Sequence, residues 1–390
     1  MVSSEMPSRS QLTAITVRGT RVLVKRDDLL SLPGCEDDER CRGNKARKLL
    51  GLSKQQREAD LTVLSYGGLQ SNMMAALSAL CHHEGWQMHY IVKEGGPVQQ
   101  QQQQEQQGQQ HLQNSNLGRC LAQQHFNLHT ATREQYDQIH SWSSSAAPSV
   151  AWPTALLDIM PDTAPLLEQR DSQTAAAASL WCPQGGAAPF AEAGCKLLAA
   201  ELGTIRDEQC SGDEQLDVCI PSGTGTTAAL TALHAPPGVN ILAVPCVSTA
   251  ANLWQQMEAL ADRCGVRGGG TWKQQLEVLD PLSRPPFGHP HKRIYRDWKE
   301  IEHACRLSND DCDDDAELGF DLLYGGAAWN VMLQHEKRLQ WSDSTGGLSN
   351  SKSKSQLVYV HSGGMTGHES MMQRYARRGL ARAATNVTAA

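Results

Sequence analysis

Short apolar runs rich in Val, Ile and Leu recur along this chain of 390 residues, separated by longer segments rich in Ala, Leu and Gln. Apolar runs of about four to eight residues suit strands buried on both faces, and the longer stretches suit helices. Such alternation points to an α/β fold in which helices cover parallel sheet, since a parallel sheet needs both faces covered. Strands are expected at Leu61 to Ser65, Met88 to Val92, Asp217 to Pro221, Asn240 to Pro245 and Gln356 to His361, each followed by Gly, Pro or Ser. Open α/β sheets bind ligands outside the carboxyl ends of their strands, so the chemistry is expected just after these runs.

Acidic residues outnumber Lys plus Arg by 42 to 35, and the basic residues are scattered. No face suited to nucleic acid follows from that pattern, and a small molecule is the expected partner. The twelve Cys include no C-x-x-C pair. Cys182, Cys195, Cys219 and Cys246 sit in apolar or helical contexts without a His at ligand spacing, so they read as buried, reduced thiols and no metal site is expected. The first twenty residues lack an apolar stretch of signal-peptide length, and no run of about eighteen apolar residues suggests a membrane span. A soluble, cytoplasmic protein is expected. Met1 to Arg9 resembles, over a very short length, the start of an organelle transit peptide, so organellar targeting stays open. The sequon at Asn386-Val387-Thr388 reads as chance.

Four segments look like solvated insertions: the Gln tract from Gln99 to Gln110, the Ser/Ala stretch from Ser143 to Ser149, the acidic run Asp310 to Asp315, and Gly346 to Ser355. There is no internal repeat.

Four short motifs carry the chemistry. Arg42-Gly43-Asn44-Lys45-Ala46-Arg47-Lys48-Leu49 places three basic residues at the start of an expected helix, Ala46 to Glu58. Cations are disfavoured at a helix N-terminus, so either a negative group or a covalent use of one amine compensates, or the turn is simply solvated. Tyr66-Gly67-Gly68-Leu69-Gln70-Ser71-Asn72 opens an expected helix at Met73 to Cys81, where Ser71 or Asn72 stands at the N-cap and free N–H groups can receive an anion such as a carboxylate. An ordinary capped turn would look the same. Pro221-Ser222-Gly223-Thr224-Gly225-Thr226-Thr227-Ala228 reads as a cradle for one phosphate ahead of a helix at Ala228 to His234. It lacks the Lys of a nucleoside-triphosphate loop, and the third Gly and the acidic residue of a dinucleotide site. Val358-Tyr359-Val360-His361-Ser362-Gly363-Gly364 ends a strand in a hydroxyl that can bond a ligand heteroatom, with His361 read as core packing or loop support.

In this order the four motifs resemble the fold-type II pyridoxal-phosphate enzymes, the tryptophan synthase β-like superfamily, from about Val24 to Gly364. The branch resembled is that of the 1-aminocyclopropane-1-carboxylate deaminases and D-cysteine desulfhydrases, for which G-N-K-x-R-K-L followed by G-G-x-Q-S-N is characteristic. The resemblance implies two open, parallel-sheet, three-layer domains: 1–49 with 181–390 as the larger, and 50–180 as a smaller inserted one carrying the Gln-rich loop 99–110. It implies pyridoxal 5'-phosphate as cofactor, bound covalently by Lys45. It places Gln70, Ser71 and Asn72 against the substrate, with Asn72 also at the cofactor ring, and Ser222, Gly223, Thr224, Gly225, Thr226 and Thr227 around the cofactor phosphate. Asp321-Leu322-Leu323-Tyr324-Gly325-Gly326-Ala327 is similar to the family's D-P-V-Y-x-G-K-A, which puts Tyr324 at the substrate. Leu322 and Ala327 depart from that pattern, and Gly325 stands where the deaminases carry a Glu for the pyridine nitrogen. Ser362, in place of the family's Thr, then becomes the expected partner of that nitrogen.

The resemblance thus implies a lyase acting on a small amino acid, with Lys45 as base, Ser71 holding the substrate and Tyr324 assisting at the leaving group. The absent Glu favours D-cysteine desulfhydrase chemistry, giving pyruvate, sulfide and ammonia, over 1-aminocyclopropane-1-carboxylate deamination to 2-oxobutyrate. The alternatives are a degenerate member that binds the cofactor without turnover and a sugar-phosphate or nucleotide binder using the Thr226 loop alone. A homodimer without nucleic-acid or membrane partners is expected from the family.

Overall fold

The computed structural model describes residues 10–54, 61–95, 115–145, 152–161, 179–266, 270–283, 285–309, 317–335, 339, 355–363 and 365–381. The Gln tract, the acidic run, residues 146–149 and 346–354 of the other two expected insertions, the sequon and Gly364 lie outside them.

The strands are β1 (Leu12–Val17), β2 (Thr20–Lys25), β3 (Thr62–Tyr66), β4 (Gln87–Lys93), β5 (Phe126–Ala131), β6 (Ser179–Cys182), β7 (Gln215–Ser222), β8 (Val239–Pro245), β9 (Leu276–Val278) and β10 (Ser355–Val360). The helices are α1 (Asn44–Ser53), α2 (Asn72–Glu84), α3 (Asn116–Leu121), α4 (Arg133–Ser144), α5 (Thr154–Ile159), α6 (Glu192–Gln209), α7 (Thr226–Ala232), α8 (Ala250–Arg263), α9 (Lys292–Asn309), α10 (Gly325–Gln334) and α11 (His368–Arg377). No helix among the described residues is long and apolar enough to cross a membrane.

Contacts group the chain into two compact units, one of Ser31–Cys195 with Gln256–Gly268, the other of Pro7–Leu30, Lys196–Gln255 and Gly269–Ala390. This partition differs from the expected one of 1–49 with 181–390 against 50–180. Residues 31–49, with Lys45, group with the chain of the four-stranded sheet because α1 packs on α2 and on the segment after β6.

In the first unit the strands run in the order β5-β4-β3-β6, every pair parallel. Strand side chains alternate between faces. Val63, Met88, Tyr90 and Val92 accordingly point into a core with α1 and α2, while Leu64, Tyr66 and Ile91 point into a second core with Ile139 of α4 and Leu156 of α5. The Ser/Ala stretch expected as a solvated loop begins inside this structure: Ser143 is buried in the last turn of α4, and its hydroxyl accepts the Trp181 indole N–H at 3.0 Å. That corrects the expectation for its first residues.

Helix α1 lies unusually close to the chain after β6. A Cβ on Gly51 would fall 2.1 Å from the Phe190 carbonyl oxygen, and one on Gly194 would fall 2.0 Å from the Arg47 carbonyl oxygen. Arg47 is fully buried and Lys48 nearly so, which overturns the solvated-turn reading of these two residues.

In the second unit the order is β1-β2-β10-β7-β8-β9, with β1 antiparallel to β2 and the other pairs parallel. The carboxyl ends of β2, β10, β7 and β8 therefore share one edge. At that edge Lys25 is fully buried, bonded to Asp27 at 2.7 Å and also to Ser10 and Glu201, as a buried ammonium must be.

Backbone that close leaves no room for a side chain, and overpacking costs about 1–3 kcal/mol even where neighbours can yield. Gly194→Ala is expected to lower the unfolding free energy by at least that amount, seen as a lower urea midpoint, whereas Gly68→Ala, whose Cβ meets nothing within 4 Å, leaves the midpoint unchanged. Equal midpoints for both variants would show that α1 is not clamped in this way.

Candidate active site

In the first unit the strand β3 ends at Tyr66 and the chain turns sharply into α2. Gly67 takes φ +150°, and a Cβ there would sit 2.5 Å from the Tyr90 hydroxyl, so both backbone and space require glycine. Ser71 is the N-cap, its hydroxyl accepting the Met74 N–H at 3.2 Å. Tyr90, buried on β4, donates to the Gly68 carbonyl at 3.3 Å and bonds Ser71. Burial pushes its phenol well above the ordinary tyrosine value, so it remains a donor through the neutral range. Asn116, at the start of α3, donates to the Gln70 carbonyl at 3.1 Å and to Asn72 Oδ1 at 2.9 Å. The turn carrying Gln70, Ser71 and Asn72 is thus held from both sides, by Tyr90 and by Asn116.

Lys45 stands in the first turn of α1, half-buried, after Gly43 at φ 69°. No side chain caps this helix. Its first turns and those of α2 meet the segment that follows β6: the Lys48 ammonium donates to the Gly185 carbonyl at 3.1 Å, and a Cβ on Gly186 would lie 2.8 Å from Met73 and 3.7 Å from the Lys48 stem. Gln184 packs beside Gly67. The fold therefore brings Lys45, Gln70, Ser71 and Asn72 onto two helix starts that share one neighbour. Burial lowers the Lys48 amine to about 8, with the thiols of Cys195 and Cys182 opposing.

The second unit holds the other residues. Strand β7 ends at Ser222, whose hydroxyl donates to the Ile220 carbonyl at 3.0 Å. Gly225 then adopts the left-handed conformation, φ 70° and ψ 5°, and α7 starts with no side-chain cap. An α-helix leaves its first amides without intrahelical partners, so this turn presents donors that the protein's own side chains do not take. Thr224 and Thr226 share a hydrogen bond of 2.8 Å, and Thr227 Oγ1 is buried without a protein partner. The Tyr324 hydroxyl lies against this loop, 3.4 Å from where a Gly223 Cβ would be. Burial raises the Tyr324 phenol well above its ordinary value. Ser362 follows the same edge: β10 pairs with β7 as far as Tyr359 opposite Cys219 and ends at Val360, two residues before Ser362. His361 is buried, accepts the Gly363 N–H on Nδ1 and bonds the Gly319 carbonyl through Nε2 at 2.7 Å, in keeping with a loop support.

Three residues shape these turns without having stood out in the sequence. Asp321 accepts from the amides of Leu323 (2.7 Å), Tyr324 (2.7 Å) and Gly325 (3.0 Å), fixing the start of α10 and with it Tyr324. The N-cap signal was present, an Asp ahead of a helical segment. Tyr90 is hidden inside an apolar strand run, and Asn116 follows the Gln tract with nothing to mark it. Position 325 is tight: a Cβ there would stand 3.0 Å from Phe320 Cβ and 3.2 Å from Asp321 Oδ2, so one of these neighbours would have to give by a few tenths of an ångström.

No protein-family model matches the sequence, and no curated protein does. Among solved structures the chain is similar to a crystal structure described as an ACC deaminase homologue, with a TM-score of 0.56 and 16% identity over 96% of this chain and 93% of that one. O-ureido-L-serine synthase gives a TM-score of 0.48 at 14% identity, covering 98% and 95% of the two chains. A hydrogen sulfide-producing enzyme from Fusobacterium nucleatum gives 0.47 at 11% identity, covering 92% and 96%. The likeness is one of fold and rests on the first of these. Two helix-flanked parallel sheets, one with an antiparallel edge strand, agree with the pair of open α/β sheets expected from the sequence.

Because Lys48 binds its proton less tightly when folded than at its ordinary 10.5, the unfolded chain holds that proton between about pH 8 and 10.5 and the folded chain does not. Stability measured against Lys48→Met is expected to rise across that window by up to about 3 kcal/mol, with the full cost of the charge persisting below it. Urea titrations at intervals from pH 7 to 10.5 check this, and parallel curves for the two proteins would mean that Lys48 stays charged.

Proposed function

We propose that this chain is a pyridoxal 5'-phosphate-dependent lyase of small amino acids, acting on D-cysteine to give pyruvate, sulfide and ammonia. Lys45 would hold the cofactor covalently, Asn72 and Ser362 would contact its ring, and Ser222, Gly223, Thr224, Gly225, Thr226 and Thr227 would hold its phosphate. The second-unit residues fit a monophosphate: the uncapped start of α7 and the buried, unpartnered Thr227 hydroxyl supply donors of the kind an anion takes up. That orphaned hydroxyl is the observation that carries the cofactor reading. When bound, the cofactor supplies an electron sink that makes the substrate Cα–H acidic.

The chain's own residues would then divide the remaining work. The Lys45 amine removes the Cα proton as general base. Ser71 and the first amides of α2 hold the substrate carboxylate, in a turn kept rigid by Tyr90 and Asn116. Gln70, in the same turn, contacts the substrate. Tyr324 keeps its proton through the neutral range, which suits donation to a departing sulfur and not base catalysis.

The choice of elimination over ring opening rests on position 325. The deaminases that the sequence resembles carry a Glu there, and in this chain Phe320 and Asp321 leave no room for a Cβ without movement. A second reading, deamination of 1-aminocyclopropane-1-carboxylate, is favoured by the fold similarity to an ACC deaminase homologue.

Protein incubated with pyridoxal phosphate and freed of excess should be yellow and should release sulfide and pyruvate in equal amounts from D-cysteine, with little product from L-cysteine or D-serine. Lys45→Ala should lose at least about a hundredfold in turnover together with the visible absorbance. Release of 2-oxobutyrate from the cyclopropane amino acid would transfer the assignment to the deaminase, and a yellow protein inert to all four would mark a cofactor binder without turnover. Protein that stays colourless would overturn the cofactor itself.

A buried hydroxyl without a partner costs about 1–3 kcal/mol. Thr227→Val is therefore expected to raise the stability of the cofactor-free chain while weakening its affinity for pyridoxal phosphate roughly tenfold or more, read by urea titration and equilibrium dialysis. A variant that loses stability and keeps its affinity would remove Thr227 from the phosphate site.

A further inference from the structure

Two thiols that the proposed reaction does not use meet in the segment leading into α1. The Asp38 N–H bonds the Cys35 carbonyl at 3.1 Å and the Cys41 N–H bonds the Asp38 carbonyl at 2.9 Å, so two successive turns bring Cys35 and Cys41 back toward each other. The Cys35 N–H and the Cys41 carbonyl close the segment onto Leu32, at 2.9 and 3.0 Å. The two thiols are near enough for each to shift the other's proton affinity, and the Cys41 thiol donates to the Ala76 carbonyl of α2 at 3.5 Å. Both are buried, yet not equally: Cys35 keeps 6% of its surface and Cys41 none.

The pair is asymmetric in reactivity as well. The Cys41 hydrogen bond holds the Cys35 thiol below its ordinary value, against burial and the nearby Glu84, Asp38 and Glu36 carboxylates, while the same contact and burial push Cys41 up. The thiolate is the nucleophilic form of cysteine. Cys35 is the sulfur nearer to solvent and the one held nearer to ionisation, so Cys41 would be the resolving thiol.

We propose that Cys35 and Cys41 form a reversible dithiol–disulfide site whose oxidant is a small hydroperoxide. The Cys35 sulfur attacks the peroxide, an S–O bond forms, the O–O bond breaks, and the departing oxygen takes the Cys35 proton and leaves as water from hydrogen peroxide, or as an alcohol from an alkyl hydroperoxide. Cys41 then attacks the Cys35 sulfur, an S–S bond forms, the S–O bond breaks, and the hydroxyl leaves with the Cys41 proton as water. Two thiols are oxidised and one hydroperoxide is reduced, and any dithiol reductant reverses the change. Closing the bond to the disulfide length of about 2.05 Å costs the Cys41 bond to Ala76.

The test uses the full wild-type chain treated with one equivalent of hydrogen peroxide, then alkylated under denaturing conditions and digested with trypsin without reduction. Trypsin cuts after Arg40 and so separates the two cysteines. The expected result is that the fragment Asp27–Arg40 appears mainly joined to the fragment beginning at Cys41, two hydrogens lighter than the sum, and that dithiothreitol restores both. In Cys41→Ser, Cys35 should instead be trapped by dimedone as its sulfenic acid. Full alkylation of both thiols after peroxide, a bond that joins either of them to another cysteine, or conversion of Cys35 to the sulfinic acid with Cys41 untouched would each overturn the proposal. The wild-type map decides even where the serine variant fails to fold.

Discussion

The close approach of α1 to the chain after β6 sets where Lys45 can be. Two carbonyl oxygens, of Arg47 and Phe190, occupy the space that side chains on Gly194 and Gly51 would need, so the helix and its neighbour touch backbone to backbone. Polar groups at such a contact need partners, because a buried amide or amine without one costs as much as several good packing contacts return. Lys48 meets that need at the Gly185 carbonyl, and the cost reappears as a depressed proton affinity of its amine. The same Gly185-Gly186 corner touches Met73 of α2. The helix bearing Lys45 and the helix capped by Ser71 are therefore positioned by one corner of the chain, and neither can shift without disturbing the other.

In the second unit the corresponding part is played by a single carboxylate. Asp321 takes three consecutive amides, which fixes the start of α10 and turns Tyr324 toward the Ser/Gly/Thr loop. A carboxylate accepting three N–H bonds has little capacity for other roles, so Asp321 acts on the site through the backbone. Its side chain also fills the space beside Gly325, so the capping carboxylate and the absence of a side chain at 325 are one packing decision.

Much of this was legible in the sequence. Five strands fall within two residues of where their Val/Ile/Leu runs placed them, and the turns at Gly67, Ser71 and Gly225 lie between strand and helix as the glycines and hydroxyls indicated. The strands that escaped notice have physical reasons to do so. β5 (FNLHTA) mixes polar residues at a sheet edge, β6 and β9 have four and three residues, and β1 and β2 form an antiparallel edge hairpin whose outward residues break up the apolar run. The unit boundary was not legible either, because it depends on glycines whose near-contact with distant carbonyls no local pattern records. Asn116 and Tyr90 escaped for the same reason: their partners are backbone atoms of a turn far off in sequence.

With Gly325 where the resembled deaminases carry a Glu, the proposed partner of the cofactor's pyridine nitrogen is a hydroxyl, Ser362, just beyond the end of β10. A carboxylate can force a proton onto a pyridine nitrogen because it gains a charge-assisted hydrogen bond by doing so, whereas a neutral hydroxyl gains little and can donate instead. An amino acid with a thiol at Cβ needs less stabilisation of developing negative charge than a strained carbon ring does, since a competent leaving group departs as the charge forms. A half-buried hydroxyl, a tyrosine kept protonated by burial and a tight position 325 are the features on which the proposed elimination of a β-substituent rests.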